Sequence, residues 1–324
     1  MISVLHLDMN LLEVKNLSVT YGSNTVVKKA SFNLKKGEII VILGASGDGK
    51  TTILKSIAGL LPLQSGEIIF DGEKVKDASN KLVPGHSRIK LVNQDFALDK
   101  YHTVEENIRM RLLQFDEAYR NLRVDTLIKL TQLTKYRNVK SIDLSGGQQQ
   151  RLAIARALAD EPDLLLLDEP FNQLDFQNKQ KIERHIRTYA RKNGISVILV
   201  THNGVEAMEW ADKIIFIRNG KIKRIDQPSE FFDHPTNKTE AGFFGELNKL
   251  KINDEEIYFR PGVFSLTKNK NCSLKLKVEY KNKISLGWYA EYTFISHSQS
   301  FKIYSQQALS NVKEIFIAPL IFAS

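Results

Sequence analysis

Thiols are nearly absent: Cys272 is the one cysteine in 324 residues. A single thiol excludes an internal disulfide and fits a reducing compartment. Such a cysteine is far more often a small core residue than a nucleophile. Long apolar runs are missing too. Nothing approaches the roughly 18 consecutive apolar residues that a bilayer-spanning helix needs. The longest strings, such as Ile39-Ile40-Val41-Ile42-Leu43 after Glu38, have the length of buried strands. Met1 to Asn10 has no basic n-region and is interrupted by Asp and His, so no signal peptide is expected. Met9 is a candidate start, because the ordered pattern begins at Leu11. There is no repeat of solenoid period, no low-complexity tract and no inserted coiled-coil heptad. Acidic residues are the minority charge, 37 against 46 Lys and Arg, for a net +9. The excess has three possible sources: a solvated surface, attraction to an anionic membrane face or nucleic-acid binding. Lysines are spread along the chain rather than blocked, which favours the first two.

Apolar content of 42% and charged content of 26% are those of an ordinary soluble globular protein, with length for one large domain and a small one. From Leu11 to about Gly245, short apolar strands alternate with helical patterns. That alternation predicts an α/β domain with a mainly parallel sheet. Leu12 to Tyr21 alternates as a strand, and Glu38 to Leu43 is a buried strand entering a glycine-rich loop. Lys50 to Ala58 reads as a helix stopped by Gly59 and Pro62. Ile68-Ile69-Phe70 ahead of Asp71-Gly72 reads as strand and tight turn. Between Gln94 and Ser145 the pattern is helical, with Thr103 as a cap and Glu105-Glu106 in the first turn. Leu164–Leu167, Ser196–Val200 and Ile214–Ile217 are further strands, and Asn219-Gly220 is a hairpin turn. After Gly245 the helical period stops. Lys275–Tyr280 and Tyr289–Ile295 alternate, so the tail is expected to be all-β, a small barrel or sandwich.

The chemistry is concentrated in a few motifs. Gly44-Ala45-Ser46-Gly47-Asp48-Gly49-Lys50-Thr51-Thr52 fits G-x-x-x-x-G-K-[ST] between a strand and a helix. Glycines let successive N–H groups converge on phosphate oxygens, and the positive helix end adds to that field. Lys50 is expected to reach the β- and γ-phosphates of ATP and the Thr51 hydroxyl to ligate Mg²⁺. A carboxylate inside the loop should repel phosphate, so Asp48 is expected to turn its side chain away. Asp168 ends a strand of four leucines, where a carboxylate is expected to face the nucleotide and hold Mg²⁺. Glu169 follows where the chain leaves the strand and Pro170 stiffens the turn; Glu169 is the candidate general base that polarises the attacking water. Gln94, after the strand Ile89–Val92, offers a neutral amide carbonyl to Mg²⁺ and water. His202 closes the strand Val197–Thr201 on the ligand side of the sheet. Ser145-Gly146-Gly147, ahead of a helix from Gln148 to Ala159, makes a second anion site of hydroxyl, amides and helix end.

The phosphate loop, Leu144-Ser145-Gly146-Gly147-Gln148 and Leu164-Leu165-Leu166-Leu167-Asp168-Glu169-Pro170, in that order, resemble the ATP-binding-cassette ATPases. The resemblance runs over about Leu11 to Asn248 and continues through Gln149–Leu158. It implies a P-loop NTPase cassette at residues 1–248 with a helical subdomain at about 95–160. It implies that the Ser145 segment, with Gln148, clamps the γ-phosphate of ATP on a partner cassette, so that two subunits, as a homodimer, share each site. It gives Gln94 the role of γ-phosphate sensor relaying to Phe96, Leu98 and Tyr101. Those residues then form a groove for a permease's coupling helix, or else local core. His202 takes the role of the family's switch histidine on the γ-phosphate, and Tyr21, ahead of Gly22, resembles the aromatic residue that stacks on adenine. Two places depart from the pattern. The usual Ser-Ala-Leu-Asp reads Asn172-Gln173-Leu174-Asp175, which keeps Asp175, and Asn203 replaces an Asp after the histidine.

The stretch from Asn219 to Asn248 resembles importer ATPases that serve polyamine, sulfate, ferric-iron or maltose-type uptake. Phe259-Arg260-Pro261-Gly262 is similar to the Arg-Pro-Glu that opens their small β-barrel, TOBE-like (OB-like) domain, here residues 249–324, with Gly262 in place of Glu. The resemblance thus implies the ATP-hydrolysing subunit of an importer, peripheral on the cytoplasmic face of the cell membrane, with ATP and Mg²⁺, separate permease subunits and a substrate-binding protein. Rival readings are a non-importer transporter ATPase, an ATP-gated scaffold without turnover and a soluble ATPase acting on nucleic acid or ribosomes. Against the last stand one cassette per chain and no aromatic–basic interleaving on the tail, with Trp288, Tyr289 and Tyr292 as the aromatic residues to watch.

Overall fold

A computed structural model describes residues 10–80, 84–93, 95–174 and 176–322. The chain packs as two compact units. The larger runs up to His202 and includes Glu206–Gln227; the smaller takes Asn203–Val205 and everything from Pro228.

In the larger unit the order is β1 (Asn10–Tyr21), β2 (Asn24–Lys35), β3 (Ile39–Leu43), α1 (Lys50–Ile57), β4 (Ser65–Phe70), β5 (Glu73–Lys74) and β6 (Ile89–Val92). Then come α2 (Val104–Arg109), α3 (Glu117–Leu130), α4 (Gly146–Ala159), β7 (Leu164–Asp168), α5 (Phe176–Lys192), β8 (Ser196–Thr201), α6 (Gly204–Trp210, its first two residues grouped with the smaller unit), β9 (Lys213–Arg218) and β10 (Lys221–Asp226). Six strands form one sheet in the order β10-β9-β3-β8-β7-β6, parallel except for the β9–β10 hairpin. Every residue of β3, β7 and β8 is buried, which is why these strands read as unbroken apolar runs. A second sheet, β2-β1-β4-β5, is antiparallel and was not separable from the first by pattern. One apolar core, including Leu12, Leu34, Ile42, Leu54, Ile198 and Ile217, joins both sheets to α1.

Turn chemistry explains the hairpins. Asp71-Gly72 (φ 51° and 81°) and Asn219-Gly220 (φ 52° and 75°) supply the paired left-handed residues that a tight two-residue turn requires. In the helical stretch, Thr103 and Glu106 form a reciprocal capping box on α2, with Glu105 beside them in the first turn. A second box, Ser145 with Gln148, starts α4 at Gly146 rather than at Gln148, because the capping bonds draw both glycines into the first turn.

The smaller unit holds α7 (Pro228–Asp233), α8 (Lys238–Phe243), β11 (Asn248–Ile252), β12 (Glu255–Phe259), β13 (Phe264–Ser265), β14 (Leu274–Lys277), β15 (Glu279–Ser285), β16 (Ala290–Ser296), β17 (Gln299–Ser305) and β18 (Glu314–Ile317). Its strands pair antiparallel as β11-β12, β13-β18-β14 and β15-β16-β17. The alternating run Lys275–Tyr280 is broken at Val278, whose N–H turns to Lys313, so its two halves lie in different sheets. Leu250, Phe259, Leu276, Tyr292, Phe294 and Ile315 lie in its core. Cys272 is buried, in keeping with a packing role. No helix among the described residues is long and apolar enough to cross a membrane.

Candidate functional site

The parallel register brings three strand ends together. Leu43 pairs with Thr201 and Asp168 with Val200, so the segments after β3, β7 and β8 leave the sheet at one edge. This carboxyl edge is where open α/β sheets bind ligands.

The phosphate loop is built from its backbone. Gly49 sits at φ 91°, and a side chain on Gly44 would strike the Ile217 carbonyl at 2.6 Å. α1 starts at Lys50 with no side-chain cap and no acidic residue in its first turn. Its leading N–H groups therefore remain available to an anion. Asp48 folds away from that opening: one carboxylate oxygen accepts the Ala45 N–H at 2.8 Å, the other the Asn219 N–H at 2.7 Å. Lys50 is buried, and its Nζ donates to the carbonyls of Gly44 (3.0 Å) and Ala45 (2.8 Å). Burial pushes its pKa down, against the pull of the nearby Glu169, Asp48 and Asp168 carboxylates. Ser46 and Gly47 lie on the exposed rim of the loop, whereas Thr52 points into the protein.

Thr51 and Asp168, 117 positions apart, meet at 2.8 Å, the Thr51 hydroxyl donating to one Asp168 oxygen. The other, Oδ1, is buried with no hydrogen-bond partner. Burial raises the Asp168 pKa, and the charge of Glu169 adds to the rise. A buried carboxylate oxygen without a donor, beside a hydroxyl and a lysine, suits a hard cation carried in with phosphates. No cluster of three or more His, Cys, Asp or Glu able to hold a metal occurs among the described residues.

Glu169 adopts φ 48°, unusual for a residue with a side chain. Its N–H is held by the Val200 carbonyl at 3.0 Å, and its own carbonyl receives the Gln150 amide at 3.3 Å. One carboxylate oxygen lies 3.3 Å from His202 Nδ1; the other accepts from Asn172 Nδ2 at 2.5 Å. The His202 side chain remains 57% exposed, open to a ligand. Lys50, Thr51, Asp168, Glu169 and His202 thus gather at one edge. Tyr21, at the end of β1, presents an exposed ring. The polar groups of Ser145 and Gln148 are tied to each other by the capping box. Gln94 and Asp175 lie outside the described residues. After Gln94 the chain is pinned to α4 by Arg156, which pairs with Asp99 at 3.0 Å and bonds the Ala97 carbonyl. Phe96 and Leu98 are half-buried and Tyr101 is exposed, so this trio is not local core. A cavity of about 770 Å³ beside Arg260 in the smaller unit contains none of these groups. That separation is expected, because a phosphate loop presents backbone amides at a surface.

Sequence reasoning missed the Asn172 contact with Glu169 and the fold of Asp48 onto Asn219. Asn172 had shown itself only as a departure from a pattern.

Residues 27–172 match the family model described as ABC transporter. The chain is 38% identical over 253 residues to the spermidine/putrescine import ATP-binding protein PotA of Bacillus cereus, covering 78% of this chain and 76% of that protein. The chain belongs to the ABC transporter family. The PotA protein of Haemophilus influenzae is likewise 38% identical, over 281 residues, 85% of this chain and 74% of that one. Among solved structures, the ATP-binding cassette MJ0796, in a dimeric post-hydrolysis state bound to ADP and Pi, aligns with a TM-score of 0.60 and 31% identity, over 67% of this chain and 98% of that chain. This ABC protein is accordingly a nucleotide-binding ATPase, the ATP-hydrolysing subunit of an importer. An ATPase acting on nucleic acid is not favoured. In line with this, Tyr292 is core and Trp288 leans on Tyr289 at 4.9 Å, so the three aromatic rings form no common stacking platform.

Proposed function

We propose that two copies of this chain close over two ATP molecules and drive separate membrane permease subunits that import a polyamine-class solute. The observation that carries the site reading is the Thr51–Asp168 pair, with its one unpartnered buried oxygen, beside the uncapped start of α1. In this reading the amides of the phosphate loop and Lys50 hold the β- and γ-phosphates. Thr51, Asp168 and Gln94 hold Mg²⁺, which when bound neutralises charge on the phosphate oxygens. Glu169 takes hydrogen bonding from the attacking water and orients it in line with the γ-phosphate. His202 donates to a γ-phosphate oxygen, and Tyr21 stacks on adenine. Ser145, Gly146 and Gly147, at the start of α4, face the γ-phosphate of the partner's ATP, with Gln148 holding the Ser145 end by the capping box and Asp175 at the subunit contact.

The ATPase role falls to residues 1–248, with residues 249–324 as a TOBE-like appendage. The half-exposed set Phe96, Leu98 and Tyr101 is the face for a permease helix. A substrate-binding protein delivers the solute from outside, and the chain sits on the cytoplasmic face of the membrane. The names of the relatives support the solute class.

The test is Glu169→Gln in ATP and Mg²⁺. Phosphate release should fall by about 10²–10⁴-fold, the range for loss of a general base. Light scattering should show an ATP-dependent dimer, and a multi-span permease should co-purify from membranes. Full activity of this variant would sink the base assignment. Recovery of nucleic acid in place of a permease would sink the importer reading.

A further inference from the structure

The segment after β7 is one of the two places where this chain departs from the family pattern, with Asn172 and Gln173 in place of Ser and Ala. Both side chains have work in the structure. A Cβ on Gly146 would lie 2.2 Å from Gln173 Oε1, and one on Gly147 would lie 2.9 Å from both the Gln173 carbonyl and a Leu174 methyl. Only because the first turn of α4 has no side chains there does the segment sit down on it. Seated in this way, Asn172 aims its amide back at Glu169, with Nδ2 2.5 Å from Oε2. The Glu169 backbone is already held at its N–H by Val200 and at its carbonyl by Gln150. What remains free is the rotation of the Glu169 side chain, and among the described residues its carboxylate meets Asn172 on one oxygen and His202 on the other.

We propose that Asn172 is a positioning residue for the Glu169 carboxylate: its amide holds Oε2, so that Oε1, on the His202 side, is the oxygen presented to the attacking water. This rests on the reading of Glu169 as the general base. A donor is required, because an amide N–H pairs with a carboxylate and an acceptor repels it. Length matters as well. The Asn amide stands one bond farther from Cβ than a serine hydroxyl, so serine restores the contact only in part. The contact itself contributes nothing to the nucleotide, so its loss should lower turnover and leave binding alone.

The experiment compares steady-state ATP hydrolysis and ATP affinity in the full chain for wild type, Asn172→Asp, Asn172→Ala, Asn172→Ser and Glu169→Gln, and adds the double variant Asn172→Asp/Glu169→Gln. Asn172 is exposed, and Asp has the same shape, so folding should be retained; Asn172→Ala serves if it is not. Asn172→Asp should lower kcat about tenfold or more, the order expected for losing a charge-assisted hydrogen bond. Its affinity for ATP should stay within about twofold of wild type. Asn172→Ser should fall between the two, and the double variant should be no slower than Glu169→Gln. The proposal is overturned by an unchanged or raised kcat in Asn172→Asp, by a parallel loss of kcat and affinity, or by a further drop in the double variant. An active Glu169→Gln would instead remove the base reading on which it stands. A dead Glu169→Gln beside a normal Asn172→Asp removes the proposal alone.

Discussion

Asp168 shows how little distance separates a folding problem from a function. One oxygen is satisfied by Thr51 and the other is buried with no donor. Burial, then the charge of Glu169, raises its pKa. On leaving the ordinary aspartate range the folded chain gives up this proton later than the unfolded chain does, and stability falls as pH climbs through that range. Asp168→Asn keeps the shape and an acceptor for Thr51 while removing the charge. Phosphate release should drop about 100-fold or more, the scale of losing a charged group from a phosphoryl-transfer site, while the melting temperature at pH 7 stays level or rises. A variant that loses stability and activity together would show Asp168 to be structural. Lys50 has the complementary strain, since its buried charge rests on two loop carbonyls.

Among the elements, α5 and α6 carry a carboxyl pair outside the proposed chemistry. Glu183 and Glu206 are buried against each other, with Lys179 at 3.9 Å from the first and 3.2 Å from the second. Burial, followed by the hydrogen bond and charge of Glu206, pushes Glu183 up to about 8; Glu209 adds to the rise and Lys179 opposes it. The ordinary value is 4.5, so between there and about 8 the folded chain keeps a proton that the unfolded chain gives up. Stability should decline as pH rises through that window. Glu183→Gln cannot titrate and still bridges the helices. Its melting temperature should exceed wild type at pH 8 and approach it at pH 5. Melting curves across that range check this, and a wild type as stable at pH 8 as the variant would refute it.

On the scale of the whole molecule, each compact unit carries a buried apolar core. In the smaller, Phe294 is fully buried between Tyr292 and Phe301, with ring centroids 6.4 and 6.1 Å away. Phe294→Ala should cost about 3–5 kcal/mol, the range for emptying an aromatic core site. Urea denaturation followed by far-UV circular dichroism would read it as an earlier transition, and an unchanged midpoint would refute it. The charge excess is also a property of the whole chain. Many of its cations are engaged in local ion pairs, as in Glu105, held down to about 2 chiefly by Arg137 and further by Arg109.

Much of this was legible along the chain, because the signals are local. Apolar runs and glycine punctuation located β3, β7 and β8. The G-x-x-x-x-G-K-[ST] spacing located the loop, and Asp-Gly and Asn-Gly located two hairpins. Two further left-handed pairs, Asn253-Asp254 between β11 and β12 and His297-Ser298 between β16 and β17, carry no glycine and gave no such signal. Periodicity says which face of a strand is apolar but not which strand it will join. Hence the antiparallel β2-β1-β4-β5 sheet and the β13–β18 pairing came only with the fold. The same limit governs the site. Residue types and spacings by themselves determined that this chain has a phosphate loop, an acidic strand end and a second glycine-led helix start. Tertiary structure alone decided that Thr51 meets Asp168, that Asp48 turns onto Asn219 and that Asn172 holds Glu169. Each of those contacts depends on strand register and on the backbone angle where the chain leaves a strand, and both are set by neighbours distant in sequence.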